Sequence, residues 1–221
     1  MKVCFIILAA LVTTALPAVC MATPPRQGPY VSGFIGVSVP RNADVTGFDY
    51  LAGTSFAEQI EYDPGINIGG TAGWDYGIIR LEGELSYKQG EISTITDQFN
   101  GIRYNTADGS VGAFAMMFNA FFDMHNSSPV TPYIGGGIGF ATLQLDDTYA
   151  NGLLFYEQDS DSVFAYQVGA GLEIALNQML SLDLSYRYFG TSQASFGPNP
   201  YINPEFEFQS HNVAVGFRVK Y

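Results

Sequence analysis

Cysteine is nearly absent from this sequence. Its 221 residues include two, Cys4 and Cys20, and both fall in an N-terminal stretch built like an export leader. Met1-Lys2 is followed by an apolar run from Val3 to Leu16, then Pro17 and small residues through Ala22. That run is shorter than the roughly 20 residues a helix needs to cross a bilayer, and Ala22 suits a signal peptidase cutting before Thr23. Acylation at Cys20 would want a small residue before it, and Val19 fits poorly. The expected processed chain, residues 23–221, has no cysteine, which excludes a disulfide-stapled scaffold and a thiolate metal site.

Basic residues are also scarce. Without the leader, eight Lys and Arg stand against 21 Asp and Glu, a net charge of −13. Such a surface repels nucleic acid, whose binding rests on Lys and Arg displacing counterions. Past the leader no apolar run is long enough for a membrane helix, so any insertion into a bilayer must use strands. The remaining 199 residues amount to one domain.

What the sequence has is alternation. Stretches of about ten residues sort apolar side chains to one face and polar or small ones to the other, separated by Gly, Pro, Asn and Asp clusters. In the third, Ile79, Leu81, Gly83, Leu85 and Tyr87 oppose Arg80, Glu82, Glu84, Ser86 and Lys88. In the last, Val213, Val215, Phe217, Val219 and Tyr221 oppose Asn212, Ala214, Gly216, Arg218 and Lys220. Eight such segments occur, joined by short turns near Gly77, His125 to Thr131 and Asn177-Gln178, and by long polar stretches at 40–63, 90–109, 146–161 and 190–208. Prolines precede the first strand or lie at boundaries, turns and the last long stretch, where none breaks a ladder.

This pattern predicts an all-β protein: an eight-stranded antiparallel up-and-down transmembrane β-barrel over residues 30–221. A short periplasmic segment (23–29) precedes it, both ends lie in the periplasm and four long loops lie outside. A soluble lipocalin-like barrel would have the opposite polarity. The apolar faces carry more Phe, Tyr, Trp, Leu and Met than a closed eight-stranded interior could hold, and the glycines sit on the polar faces, as a narrow lumen requires. Aromatics gather at strand ends: Trp74, Tyr76, Phe122 and Tyr221 mark an expected periplasmic girdle, and Tyr87, Phe114, Phe164 and Tyr188 an outer one.

Several strings carry a resemblance, among them residues 80–87 (RLEGELSY), 119–123 (NAFFD), 132–139 (PYIGGGIG), 165–171 (AYQVGAG) and 186–188 (YRY). Together they resemble the outer-membrane β-barrel domain family of OmpA-like, OmpX-like and opacity-type proteins, over the whole processed chain. The resemblance implies a Gram-negative outer-membrane location. It also implies periplasmic chaperones, the barrel assembly machinery, and outer-membrane lipids and lipopolysaccharide as partners. The chain end is similar to the family's assembly signal in Gly216, Phe217, Val219 and the terminal Tyr221, and departs from it at Ala214, where a polar residue is usual.

Candidate chemistry lies first in the inward group Arg80, Glu82, Glu84, Asp123, Glu173, Asp183, Arg187 and Arg218. Paired carboxylates could do acid–base work or hold a cation. The structural reading is that charges in a narrow interior must be paired, and that the three arginines bridge the carboxylates and plug the lumen. The acidic strings Asp146-Asp147 and Glu157 to Asp161 lack the glycine and closing glutamate of an EF-hand, leaving a looser role in which divalent ions bridge them to lipopolysaccharide phosphates. With only His125 and His211 available, no Ser-His-acid triad can be drawn. Neither a cofactor nor a catalytic residue is expected. The expected function is that of a non-enzymatic surface barrel working in adhesion, interaction or envelope integrity. A narrow channel or binder for small apolar molecules, and a lipid A-modifying enzyme, are the alternatives.

Overall fold

A computed structural model describes residues 27–49, 53–104, 107–126, 128–150, 153–156, 158–196 and 205–221. The expected leader, Glu157 and the prolines at 198, 200 and 204 lie outside the described residues.

Eight long strands make up the wall: β1 (Gly28–Pro40), β2 (Thr54–Asp75), β3 (Ile79–Asp97), β4 (Ser110–Asp123), β5 (Val130–Leu145), β6 (Asp159–Ala175), β7 (Leu180–Thr191) and β8 (Gln209–Lys220). Each pairs antiparallel with the next, and β8 returns to β1 to close the ring. Closure leaves the wall no open edge, so its backbone groups pair without water. The first strand begins two residues before the expected barrel start. Registers are same-face throughout: Leu184 meets Val215, and Ser185 meets Ala214. A slip of one residue would turn every charged side chain toward lipid.

Alternation becomes burial. On β4, Phe114, Met116, Phe118 and Phe122 are exposed while Asn119, Phe121 and Asp123 are buried. The tight turn between β2 and β3 has Gly77 at φ 99°, a left-handed backbone that glycine adopts freely, and its N–H donates to Asp75 Oδ1 at 2.7 Å. Close approach explains another glycine: a Cβ on Gly137 would lie 2.0 Å from Asn119 Oδ1 and 2.4 Å from the carbonyl oxygen of Phe118.

The structure differs from the expectation in two places. Residues 54–63 and 91–97, within stretches read as loops, are strand: β2 has 22 residues and β3 has 19. They pair with each other and carry the β2–β3 ladder outward, with the short strand Ala43–Asp49 added along β2 and Arg103–Tyr104 along β3. Pro64 sits within β2 at a register shift, where a missing ladder hydrogen bond is tolerated. The extension forms because Ala43, Val45, Ile60, Ile92 and Ile95 give it a buried apolar face of its own.

The second difference concerns the lumen, expected to be lined by small and polar residues throughout. Its charged groups are confined to the periplasmic tier. Its outer tier is an apolar core of Val111, Ala113, Ala115, Met117, Leu143, Leu145, Val163, Phe189 and Phe208, roofed by Phe196 and Phe206 from the last long stretch. The inward positions of outer β4 are themselves apolar, so there both faces of the strand are. Alternation of polarity loses its meaning where neither face meets water.

Candidate functional site

Among the described residues, six carboxylates and five cations face the polar tier, delivered by alternate positions of β2, β3, β4, β6, β7 and β8. They form linked clusters. Arg218 donates through Nη1 to Glu173 and through Nη2 to Asp183 Oδ2 at 2.7 Å. Beside it, Lys220 Nζ lies 2.8 Å from Asp75 Oδ2 and 2.9 Å from Glu173 Oε1. Higher up, Arg187 binds Glu84 through Nη1, with its Nη2 3.6 Å from Glu82 Oε1. Lys88 stands 3.9 Å from Glu84 and donates to Ser86 Oγ at 2.7 Å. Neutral groups add hydrogen bonds to several of these acceptors: Tyr30 donates to Glu82, Tyr133 to Asp183, Gln167 to both Glu84 and Asn119, and Asn119 to Glu84, whereas both Asp123 carboxylate oxygens accept no hydrogen bond.

Arg80 is held differently. Its Nη2 is 3.4 Å from Asp123 Oδ1, while its guanidinium lies 4.6 Å from the ring centre of Tyr133 and 4.9 Å from that of Phe121. Aromatic faces thus supply much of the environment of a fully buried charge. Carboxylate oxygens of Asp75, Asp123 and Glu173 lie within 4.8 Å of one another, near enough to share a cation, but the Lys220 ammonium already binds two of the three.

The structure brings all eight expected network residues into the lumen interior. Missing from that set were Asp75, Lys88 and Lys220, though alternation had already put them on the inner face. Tyr30, Asn119, Tyr133 and Gln167 were also missed as partners, and Tyr30 is the first residue of the expected barrel. Of the expected girdles, Trp74, Tyr76, Phe122 and Tyr221 are exposed at the periplasmic end, with Trp74 and Tyr76 rings 6.2 Å apart. Phe114 and Phe164 are exposed and Tyr87 and Tyr188 partly so at the outer end. In the expected assembly signal, Phe217 and Tyr221 are exposed, Val219 is partly so, and Gly216 is buried against Phe34.

Charge is sharply segregated. Fifteen of the 21 Asp and Glu fall in the four outward stretches, accompanied there by only Arg41 and Arg103. Arg103 is taken up by Glu61 at 2.8 Å. Asp63, Glu91, Asp146 and Asp147 line an outer groove of about 660 Å³ with Tyr149. At the outer end of β3, Asp97 accepts from the N–H groups of Phe99 and Asn100 and from the Asn100 amide, contacts that hold its carboxyl below the usual carboxylate range. The histidines lie at opposite ends of the wall: His125, in the β4–β5 turn, contacts the Asp123 carbonyl oxygen, and His211, on β8, contacts Tyr186 of β7.

A closed ring of eight antiparallel strands, apolar outside, aromatic at both ends and ionic within, defines a small transmembrane barrel of the Gram-negative outer membrane. The comparisons agree: residues 6–218 match the family "Outer membrane protein beta-barrel domain", and the chain belongs to that family. It is 28% identical to outer membrane protein PagN of Salmonella typhimurium over 197 residues, 81% of each chain. Among solved structures, outer membrane protein OprG of Pseudomonas aeruginosa superposes with a TM-score of 0.61 at 10% identity, covering 90% of this chain and 99% of that one, a likeness of fold.

Proposed function

We propose that this barrel is a non-enzymatic surface protein that works through its outward acidic stretches, in adhesion and interaction or in envelope integrity. One observation carries the reading: the outward stretches hold fifteen acids against two bases, above a lumen filled by an ionic tier and an apolar tier. Chemistry available to the surroundings is therefore on the rim. A surface of that charge favours basic partners and divalent cations, which could bridge it to lipopolysaccharide phosphates. The reading includes export by a leader cleaved after Ala22, a short periplasmic segment before the wall, escort by periplasmic chaperones, and insertion by the barrel assembly machinery through Gly216, Phe217, Val219 and Tyr221.

Grafting the four outward stretches onto an unrelated eight-stranded barrel tests it. The graft is expected to transfer surface binding, and deleting the stretches from this chain to abolish binding while the barrel still folds. If binding stays with the loopless barrel, the reading fails. A second reading, a narrow channel or binder for small apolar molecules, draws on the apolar outer tier. Its side chains are packed against one another, with Ile95, Val111, Leu143 and Phe189 fully buried, so uptake would require that core to open. Catalysis on lipid A has less support, because among the described residues neither histidine has an acid and a serine hydrogen-bonded about it. Mass spectrometry of lipid A from cells with and without the gene is expected to show no difference.

A further inference from the structure

The lipid-facing surfaces of β1, β7 and β8 are apolar until their outer ends, where a polar patch interrupts them. His211 pairs with Val39 of β1 on one side and with Tyr188 of β7 on the other, so its imidazole shares the outward face. The Tyr186 hydroxyl lies 2.8 Å from His211 Nδ1 and the two rings stack at 6.1 Å, while the Tyr188 ring is 5.3 Å away. Tyr188 donates its hydroxyl to Gln209 Oε1 at 2.9 Å, and Arg41 donates Nη1 to the same oxygen at 3.0 Å. A backbone bond from Arg41 N to the Gln209 carbonyl oxygen at 2.8 Å fixes the junction.

The height of this patch follows from the strand. From His211 to Tyr221 is ten steps of about 3.3 Å, which rise about 25 Å at a tilt near 40°, the thickness of the apolar band of such barrels. With Tyr221 at the periplasmic face, His211 stands at headgroup level in the outer leaflet.

Its charge is the telling feature. Among the described residues, Arg41 is the one Lys or Arg with no carboxylate at ion-pair distance, although fifteen acids crowd the outward stretches. The acid two residues from Gln209, Glu207, accepts the Gln209 amide at 3.0 Å instead. An arginine kept free of carboxylates on an acidic rim, next to an imidazole held by two tyrosines and just above lipid-facing Val37, Val39 and Val213, matches a phosphate attached to acyl chains.

We propose that Arg41, Gln209, Tyr188, His211 and Tyr186 form a site for a phosphate of lipopolysaccharide's lipid A in the outer leaflet. The remaining N–H groups of Arg41 fork onto the phosphate oxygens. With the Tyr186 hydroxyl donating to Nδ1, His211 Nε2 carries the proton and adds a donor. The acyl chains lie along the valines of β1 and β8.

Native mass spectrometry of the folded full-length barrel, released from detergent after incubation with defined lipids, tests this. Retention is expected for diphosphorylated lipid A, and about tenfold less for its dephosphorylated form, the equivalent of one charge-assisted hydrogen bond. Arg41→Gln should lose a similar factor and Arg41→Lys less, while Glu207→Gln should bind at least as tightly as the parent chain. Unchanged heat-modifiability on gels is the control for folding. Equal retention of the dephosphorylated lipid, or an Arg41→Gln variant that binds as well as the parent, would overturn the site. Equal retention of phosphatidylglycerol would overturn the assignment to lipid A, and displacement of the lipid by millimolar inorganic phosphate alone would overturn the role of the acyl chains.

Discussion

Arg218 holds two carboxylates in a space that water does not reach, and its value to the fold lies in what its loss would strand. Burying ions is costly, and their mutual attraction offsets that cost only while every member keeps a partner. Arg218→Met preserves much of the side-chain volume but leaves Asp183 with Tyr133 alone and Glu173 with Lys220 alone. The expected loss is about 3–5 kcal/mol in reversible urea unfolding from bilayers. Replacing Arg218, Glu173 and Asp183 together by Met, Gln and Asn should recover much of it, because no charge is then orphaned. A triple variant as unstable as the single one would mean that the arginine contributes through its packing rather than its pairs. Arg80 tests the same criterion: Asp123 has it as ion-pair partner and accepts no side-chain hydrogen bond, so Arg80→Met should cost at least as much as Arg218→Met in the same assay.

At the scale of the strand, the two faces obey different solvents. Leu184 lies near the middle of the lipid-crossing part of β7, opposite Val215, and its neighbour Ser185 faces inward opposite Ala214. Leu184→Arg is expected to cost about 2–4 kcal/mol, the range for a cation at the bilayer midplane. Ser185→Ala should cost far less, and equal effects of the two in a bilayer refolding assay would refute the facing. This two-fold pattern is also why the wall was legible in the sequence: strand existence, facing and pairing order follow from period-two polarity wherever one face meets lipid and the other meets buried charge. Legibility ended where that contrast ended. The inward Val111, Ala113, Ala115 and Met117 gave no polar signal to set against Phe114 and Met116, and the extension carrying Ile60, Ile92 and Ile95 was hidden among Asp, Glu, Ser and Thr that suggested loop. Likewise, the identity of the charged lumen set was readable from alternation, but the way it divides among Arg187, Arg218 and Lys220 depends on which strands face each other across the ring. His211 showed no partner in the linear sequence because Tyr186 and Tyr188 reach it from the neighbouring strand β7.

For the molecule as a whole, the lumen holds two different barriers in series. The periplasmic tier blocks passage with tethered charges, and the outer tier with close-packed hydrocarbon from Leu143, Phe189 and Phe208 under a roof of Phe196 and Phe206. An ion crossing the first would meet a region whose polar groups are isolated hydroxyls such as Thr191 and Ser210 among packed hydrocarbon, where desolvation costs far more than any single contact returns. Two barriers of unlike chemistry predict a specific order of effects in planar-bilayer recordings. The parent barrel is expected to show no stable large conductance. Neutralising both clusters of the polar tier, Glu82→Gln, Glu84→Gln and Arg187→Met together with Asp75→Asn, Glu173→Gln, Asp183→Asn, Arg218→Met and Lys220→Met, should leave the barrel just as silent, because the hydrocarbon tier stands intact above it. Phe189→Ala with Phe208→Ala, a substitution pair confined to the outer tier, should also stay silent, with the ionic clusters still spanning the bore. Current should appear only when both sets are combined in one folded chain. A stable large conductance from the parent protein would mean that the lumen is an open path and that the charges within it line a pore.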